Sequence, residues 1–312
     1  MCLPAFDKTQ YGVKMRYLIL LGITLISFID SAFAQFQFKS FEYPGAFLTT
    51  ARGINDYGVI VGAYELPFQP RHALLIKNGK YIPILPSSIL GVYYSEATNI
   101  NNLGDITGQM VDLDGFGHGF LVKNGELTIL DVPGASETFA LGINDSGLVA
   151  GYWDLLDANF NNLAIYGFTW KDGIFTDTQI NFPGAAGSGL FGVNSRGDLS
   201  GVWLPDVNGS IEHGFVCPKS APCFSYDGPV QGTVPFTDGK EINARGQVVG
   251  INVGDDGVWH SYLMTGTTFT TIDFPGSTGT GAFGINSAGQ IVGKYFTSNG
   301  DTHGFLAIPI PK

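Results

Sequence analysis

"GINDYGVIVGAY" occupies residues 53–64, and it is one of six related segments. The others are "NINNLGDITGQM" (99–110), "GINDSGLVAGYW" (142–153), "GVNSRGDLSGVW" (192–203), "EINARGQVVGIN" (241–252) and "GINSAGQIVGKY" (284–295). Successive copies lie 43 to 50 residues apart. Self-similarity at such a period is the signature of stacked or radially repeated units. Within each copy Asn55, Asn101, Asn144, Asn194, Asn243 or Asn286 opens an Asn-x-x-Gly turn. Asn first and Gly fourth suit a type I turn. A strand A should therefore end at the Asn and a strand B should follow the turn. Strand B carries a recurring Gly (Gly62, Gly108, Gly151, Gly201, Gly250, Gly293). Glycine inside a strand marks close approach of another group, expected here to be a bulky side chain of the adjacent blade.

Two further signatures complete the unit. Strand C begins near "RHALL" (71–75), "GHGFL" (117–121), "IYGFT" (165–169), "EHGFV" (212–216), "WHSYL" (259–263) and "THGFL" (302–306). Strand D ends at Pro-Gly, as in "LTILDVPG" (127–134) and "FTTIDFPG" (269–276). Four short antiparallel strands in roughly 45 residues make a propeller blade. The sixth unit stops after "THGFLAIPIPK", without a strand D, whereas "FKSFEYPG" (38–45) supplies that signature ahead of the first strand A. The expected fold is all-β: a six-bladed propeller of four-stranded blades, closed by the N-terminal strand completing the last blade. Closure leaves no blade edge open to aggregation. An open array is the alternative, and it would need capping repeats.

These residues resemble the bacterial extracellular family of His-Ala-Phe motif proteins, the HAF-repeat family, over about residues 38 to 310. The chain departs from the pattern at Tyr166, in place of His, and at Glu241, in place of Gly. The resemblance implies an exported repeat protein and carries no general activity with it.

Export is also expected from the N-terminus. Lys14-Met15-Arg16 precede "YLILLGITLISFI" (17–29), and Ala32-Phe33-Ala34 fits a small-x-small cleavage site. The apolar run is shorter than the ~20 residues a membrane span needs. Residues 1–34 are read as a signal peptide starting at Met15, and 35–312 as one propeller domain, secreted or periplasmic. The mature chain has 13 basic and 25 acidic residues. Such a charge repels nucleic acid and anionic lipid. No membrane span is expected in the mature chain, and a monomer is expected. Cys217 and Cys223, six apart, read as a local disulfide. Closing so short a loop contributes about 2 kcal/mol in chain-entropy terms.

All five histidines, His72, His118, His213, His260 and His303, share one repeat position. Strand C lies roughly 15 Å from the axis at ~4.8 Å per strand. That is too far apart for a shared metal, so a structural hydrogen bond into the neighbouring turn is expected of each. The B–C loops collect acids, among them Asp112, Asp114, Asp255 and Asp256. They give calcium a weak case, since no complete calcium loop is present. No cofactor is otherwise implied, and no nucleophile or metalloprotease motif occurs.

Special chemistry should lie where the repeat symmetry breaks. On the innermost strand the deviating residues are Arg52, Glu96, Asn99, Asp238, Lys240 and Glu241, expected at the channel and its mouth. The leading functional expectation is a non-catalytic exported binding or interaction module, for a carbohydrate, another small molecule or a surface protein. One alternative is a propeller hydrolase or lactonase using channel carboxylates and a divalent cation. The other is a structural envelope protein.

Overall fold

A computed structural model of the chain describes residues 35–84, 91–230, 232–233 and 236–311. The expected leader, 1–34, lies outside the described residues. Strand β1 (Phe36–Phe41) precedes β2 (Leu48–Ile54), β3 (Ile60–Glu65), β4 (His72–Lys77) and β5 (Lys80–Pro83). The next four are β6 (Val92–Ile100), β7 (Ile106–Asp112), β8 (Gly117–Lys123) and β9 (Glu126–Leu130). They are followed by β10 (Glu137–Ile143), β11 (Val149–Leu156), β12 (Asn162–Lys171) and β13 (Ile174–Ile180). Then come β14 (Gly187–Val193), β15 (Leu199–Leu204), β16 (His213–Cys217) and β17 (Phe224–Tyr226). The last are β18 (Phe236–Ile242), β19 (Val248–Val253), β20 (Trp259–Thr265), β21 (Thr268–Thr271), β22 (Gly279–Ile285), β23 (Ile291–Phe296) and β24 (Thr302–Pro309).

The strands β6 to β9, β10 to β13, β14 to β17 and β18 to β21 form four-stranded antiparallel sheets in sequence order. The remaining eight strands form one sheet, in which β2–β5 and β22–β24 meet at a single parallel bridge, Leu48 to Thr302. β1 pairs antiparallel with β24 from Phe36–Pro309 to Phe41–Gly304. The architecture is an all-β propeller with four-stranded blades. No helix among the described residues is long and apolar enough to cross a membrane.

Apolar side chains fill the space between neighbouring sheets. Val61 and Ala73 of one sheet pack with Ala97, Ile106 and Phe120 of the next. Phe36 of β1 joins Ile272, Ile291 and Phe305 in another such layer. Full burial of one such side chain contributes about 1.5–3 kcal/mol.

The turn asparagines do two jobs. Asn55 Oδ1 accepts from the Tyr57 and Val59 amides, fixing its own turn. Its Nδ2 donates to the carbonyl of Asn101, 3.1 Å away, in the next repeat. The same link runs from Asn101 to Asn144, Asn144 to Asn194, Asn194 to Asn243 and Asn243 to Asn286. Asn286 Nδ2 then donates to Asn55 O.

The strand B glycines have a different cause from the one expected. A Cβ on Gly62 would lie 2.0 Å from Thr50 O, and one on Gly293 would lie 2.0 Å from Gly281 O. The clash is thus with the inner strand of the same blade. In Gly108 the Phe120 ring of the same blade adds to it, at 2.2 Å. The inner strands bulge at this level, which pushes the carbonyl toward strand B.

The histidines also find partners within their own blade. His118, His213 and His260 bond through Nδ1 to Asp131, Asp227 and Asp273, the acids at the end of strand D. His303 bonds Glu42, which the N-terminal segment supplies at the equivalent place. His72 packs its ring 5.6 Å from that of Tyr64. Hydrogen bonds to flanking carboxylates outweigh desolvation and raise the pKa of His260. Cys217 and Cys223 are disulfide-bonded, tying the end of β16 to the start of β17.

Candidate functional site

Each inner strand carries a bulge just before its turn, where one residue (two in β18) lacks a cross-strand partner. The side chains released there are Arg52, Thr98, Leu141, Phe191, Lys240 and Phe283. Arg52 and Lys240 lie over rings from other repeats. The Arg52 guanidinium is 4.2 Å from the Phe283 centroid, and Lys240 Nζ is 3.9 Å from that of Phe191 and 6.0 Å from that of Phe283. Cation–π contacts of this kind add about 0.5–2 kcal/mol each.

Both cations are also paired. Arg52 grips Glu96 with two hydrogen bonds of 2.9 Å. Thr50 and Tyr94 hydroxyls donate to the same carboxylate, at 2.9 and 3.0 Å. Arg71 stands behind, bonding Tyr94 and Glu65. Glu96 is fully buried, which by itself would raise its pKa. The charges of Arg52 and Arg71 and the hydrogen bonds override that and hold it at about 2. Lys240 pairs with Asp238, and burial still lowers its pKa. Asp238 keeps Oδ1 buried without a hydrogen-bond partner among the described residues. Arg52 retains 23% side-chain exposure, and Lys240 and Asp238 12% each, so solvent reaches this layer.

A third cation completes the group and was not singled out in the sequence. Lys294, on β23, places Nζ 5.8 Å from Phe283, 5.0 Å from Trp259 and 5.2 Å from Phe296. Burial and the charge of Arg52 lower its pKa to about 8. The equivalent strand B positions hold Ala63, Gln109, Tyr152, Val202 and Ile251, so a lysine in that row was the available signal. Phe296 ends strand B and Trp259 opens strand C, which puts this group at the B–C loop end of the blades.

Asn99 and Glu241 belong elsewhere. Their positions hold glycine in the other repeats because the next inner strand is so close. A Cβ on Gly53 would lie 2.7 Å from Asn99 Cα, and one on Gly192 would lie 2.9 Å from Glu241 Cα. Asn99 and Glu241, three repeats apart, hydrogen-bond each other, Nδ2 donating to Oε2. With Asn55, Asn101, Asn144, Asn243 and Asn286 they line a cavity of about 190 Å3 at the turn end. Arg52, Glu96, Asp238 and Lys240 take no part in that lining. The expected single cluster of symmetry-breaking residues is therefore two sets.

Burial raises the Glu241 pKa to about 8. Its unfolded value is near 4.5, so folding favours the protonated acid. Stability should then fall as pH rises from 4.5 through 8. Glu241→Gln keeps an acceptor for Asn99 without the ionisation. We expect it to match the wild type near pH 4 and to exceed it at pH 8 by about 4 kcal/mol. Urea melts at both pH values check this, and a less stable variant at pH 8 would mean that Glu241 is ionised in the fold.

The loop acids act locally. Asp112 Oδ1 accepts from the Asp114 and Phe116 amides, and Oδ2 meets His118 at 3.3 Å. Asp255 accepts from Thr233, and Asp256 from the Val258 amide. Among the described residues no three His, Cys, Asp or Glu side chains gather closely enough to hold a metal ion.

No family model matches the chain, and no curated protein does. Solved structures do match. One is the lectin of Aleuria aurantia, described as a six-bladed β-propeller with a novel fucose recognition mode. It is 12% identical, with a TM-score of 0.50, covering 86% of this chain and 99% of that one. A variant of that lectin in complex with α-methyl-L-fucoside is 11% identical over the same shares, also at 0.50. The shared property is the propeller fold. At that identity nothing about the lectin's sugar site carries over to particular residues of this chain.

Proposed function

We propose that the mature chain, from Gln35, is an exported, closed six-bladed propeller of the HAF-repeat type that binds carbohydrate without turning it over. Three contacts support the closed ring. The asparagine chain returns from Asn286 to Asn55, β1 takes the strand D place on β24, and Glu42 takes the acid's place beside His303. The observation that carries the binding reading is the solvent-reached group of Arg52, Lys240 and Lys294 around Phe283, with Trp259 and Phe296 beside it. Apolar rings with a few converging polar groups are the usual makings of a small-ligand site. Sugars need both, rings against their C–H faces and charged or polar groups on their hydroxyls. The propeller neighbours that bind fucose are consistent with this use of the fold.

The hydrolase alternative has one observation in its favour. Burial and the charge of Asp238 raise Glu212 to about 7, an acid beside a carboxylate. A glycan array on the purified mature chain tests the main reading. The wild type and Glu241→Gln should bind the same glycans, and Trp259→Ala should lose them. Binding of no glycan, or unchanged binding by a folded Trp259→Ala, would overturn it, and release of products from a bound glycan would favour the hydrolase.

A further inference from the structure

The cations near the channel are not equivalent. Arg52 has Glu96, Arg71 has Glu65 and Lys240 has Asp238. Lys294 has no carboxylate partner among the described residues, although it is largely buried and within reach of three aromatic rings. An ammonium mostly withdrawn from water without a counter-ion is costly, and buried charges are ordinarily paired. Rings offset only part of that cost. The neighbouring guanidinium of Arg52 and the ammonium of Lys240 make the position still less comfortable. The Glu96 charge acts the other way, but that carboxylate is already held by Arg52 through two hydrogen bonds, and burial and the Arg52 charge still leave the Lys294 pKa lowered.

The chain as a whole has the opposite sign, with a formal net charge of −11. A general acidic surface repels anions, so a cluster of three cations around Phe283 stands out as the place where one could be held. We propose that Lys294 is the anchor for an anionic group, and that the carbohydrate taken by this site is an acidic sugar, carrying a carboxylate or a sulfate. The inference rests on the carbohydrate-binding reading and narrows it. The anion pairs with the Lys294 ammonium. The pyranose face lies against Trp259 and Phe296, which flank Nζ at 5.0 and 5.2 Å. Arg52 and Lys240 stay with their own carboxylates and contribute field rather than direct pairing.

Calorimetric titration of the mature chain with digalacturonate, its neutral methyl ester, neutral galactobiose and a sulfated disaccharide tests this. Digalacturonate or the sulfated sugar should bind at least tenfold tighter than the neutral pair, and which of the two does so identifies the source of the anion. Lys294→Met should weaken the acidic sugar at least tenfold while leaving the melting temperature unchanged or higher. Lys294→Arg should retain binding within a few-fold. Equal binding of neutral and acidic sugars, or normal acidic-sugar binding by Lys294→Met, would overturn the inference. If the array finds only neutral glycans, the inference falls and the carbohydrate reading stands. If no glycan of any charge binds, both fall.

Discussion

Deleting residues 35–43 from a chain that begins at Gln35 should lower its melting point by about 10–20 °C, or cause aggregation. The segment contains β1, which is paired with β24 along its whole length. Deletion removes Phe36, only 8% exposed, from its layer with Ile272 and Phe305. It also removes Phe38, whose ring lies 5.4 Å from Phe274 and 5.8 Å from Phe305. Losing a buried phenylalanine costs about 3–5 kcal/mol, and each kcal/mol lowers the melting point of a domain of this size by about 2–4 °C. The deletion further bares the edge of β24 and strips His303 of Glu42. An open strand edge templates association. A double Phe36→Ala, Phe38→Ala variant, which keeps the backbone strand, should show a smaller loss without aggregation. Scanning calorimetry distinguishes the cases, and unchanged melting of the deleted chain would mean that β1 does not support the fold.

Arg52→Ala should cost about 3–5 kcal/mol, because it leaves the Glu96 carboxylate buried and unpaired. Glu96 has no exposure, and two of its bonds come from Arg52. Replacing both partners, as Arg52→Ala with Glu96→Leu, should recover much of the loss, since neither charge then needs a partner. The pair also sets an acid limb. The Glu96 pKa is about 2 in the fold against 4.5 for the free group. Its contribution is therefore complete above pH 4.5 and is lost as pH falls toward 2. Glu96→Gln should lack that part of the acid slope. Denaturant melts from pH 2 to 7 measure both effects, and an Arg52→Ala variant as stable as the wild type would show that Glu96 finds another partner.

The repeat made the strands legible, because two of its marks are chemical necessities. Asn55 and its equivalents shape the turn, and Gly58 and its equivalents adopt positive φ, +73° in that case. The acid partners of the histidines are not legible from the repeat position, since Asp131 and Asp273 sit thirteen residues further on, after strand D. The site was only half legible. Arg52, Glu96, Asp238 and Lys240 were found as breaks in the inner-strand pattern. Lys294 was not, because its place among the rings of Phe283, Trp259 and Phe296 depends on how neighbouring blades pack. The Asn99–Glu241 bond could not be read either. It joins residues 142 apart in sequence, and only the geometry of the repeats brings them together.

Amide hydrogen exchange with and without a saturating glycan from the array tests the central claim most directly, because it reports where the ligand sits. Added protection is expected at the amides of 50–52, 238–240, 259–260 and 294–296, with none on the loops 111–117 and 204–212. Protection confined to those loops, or to the turn end around Asn101 and Asn243, would contradict it.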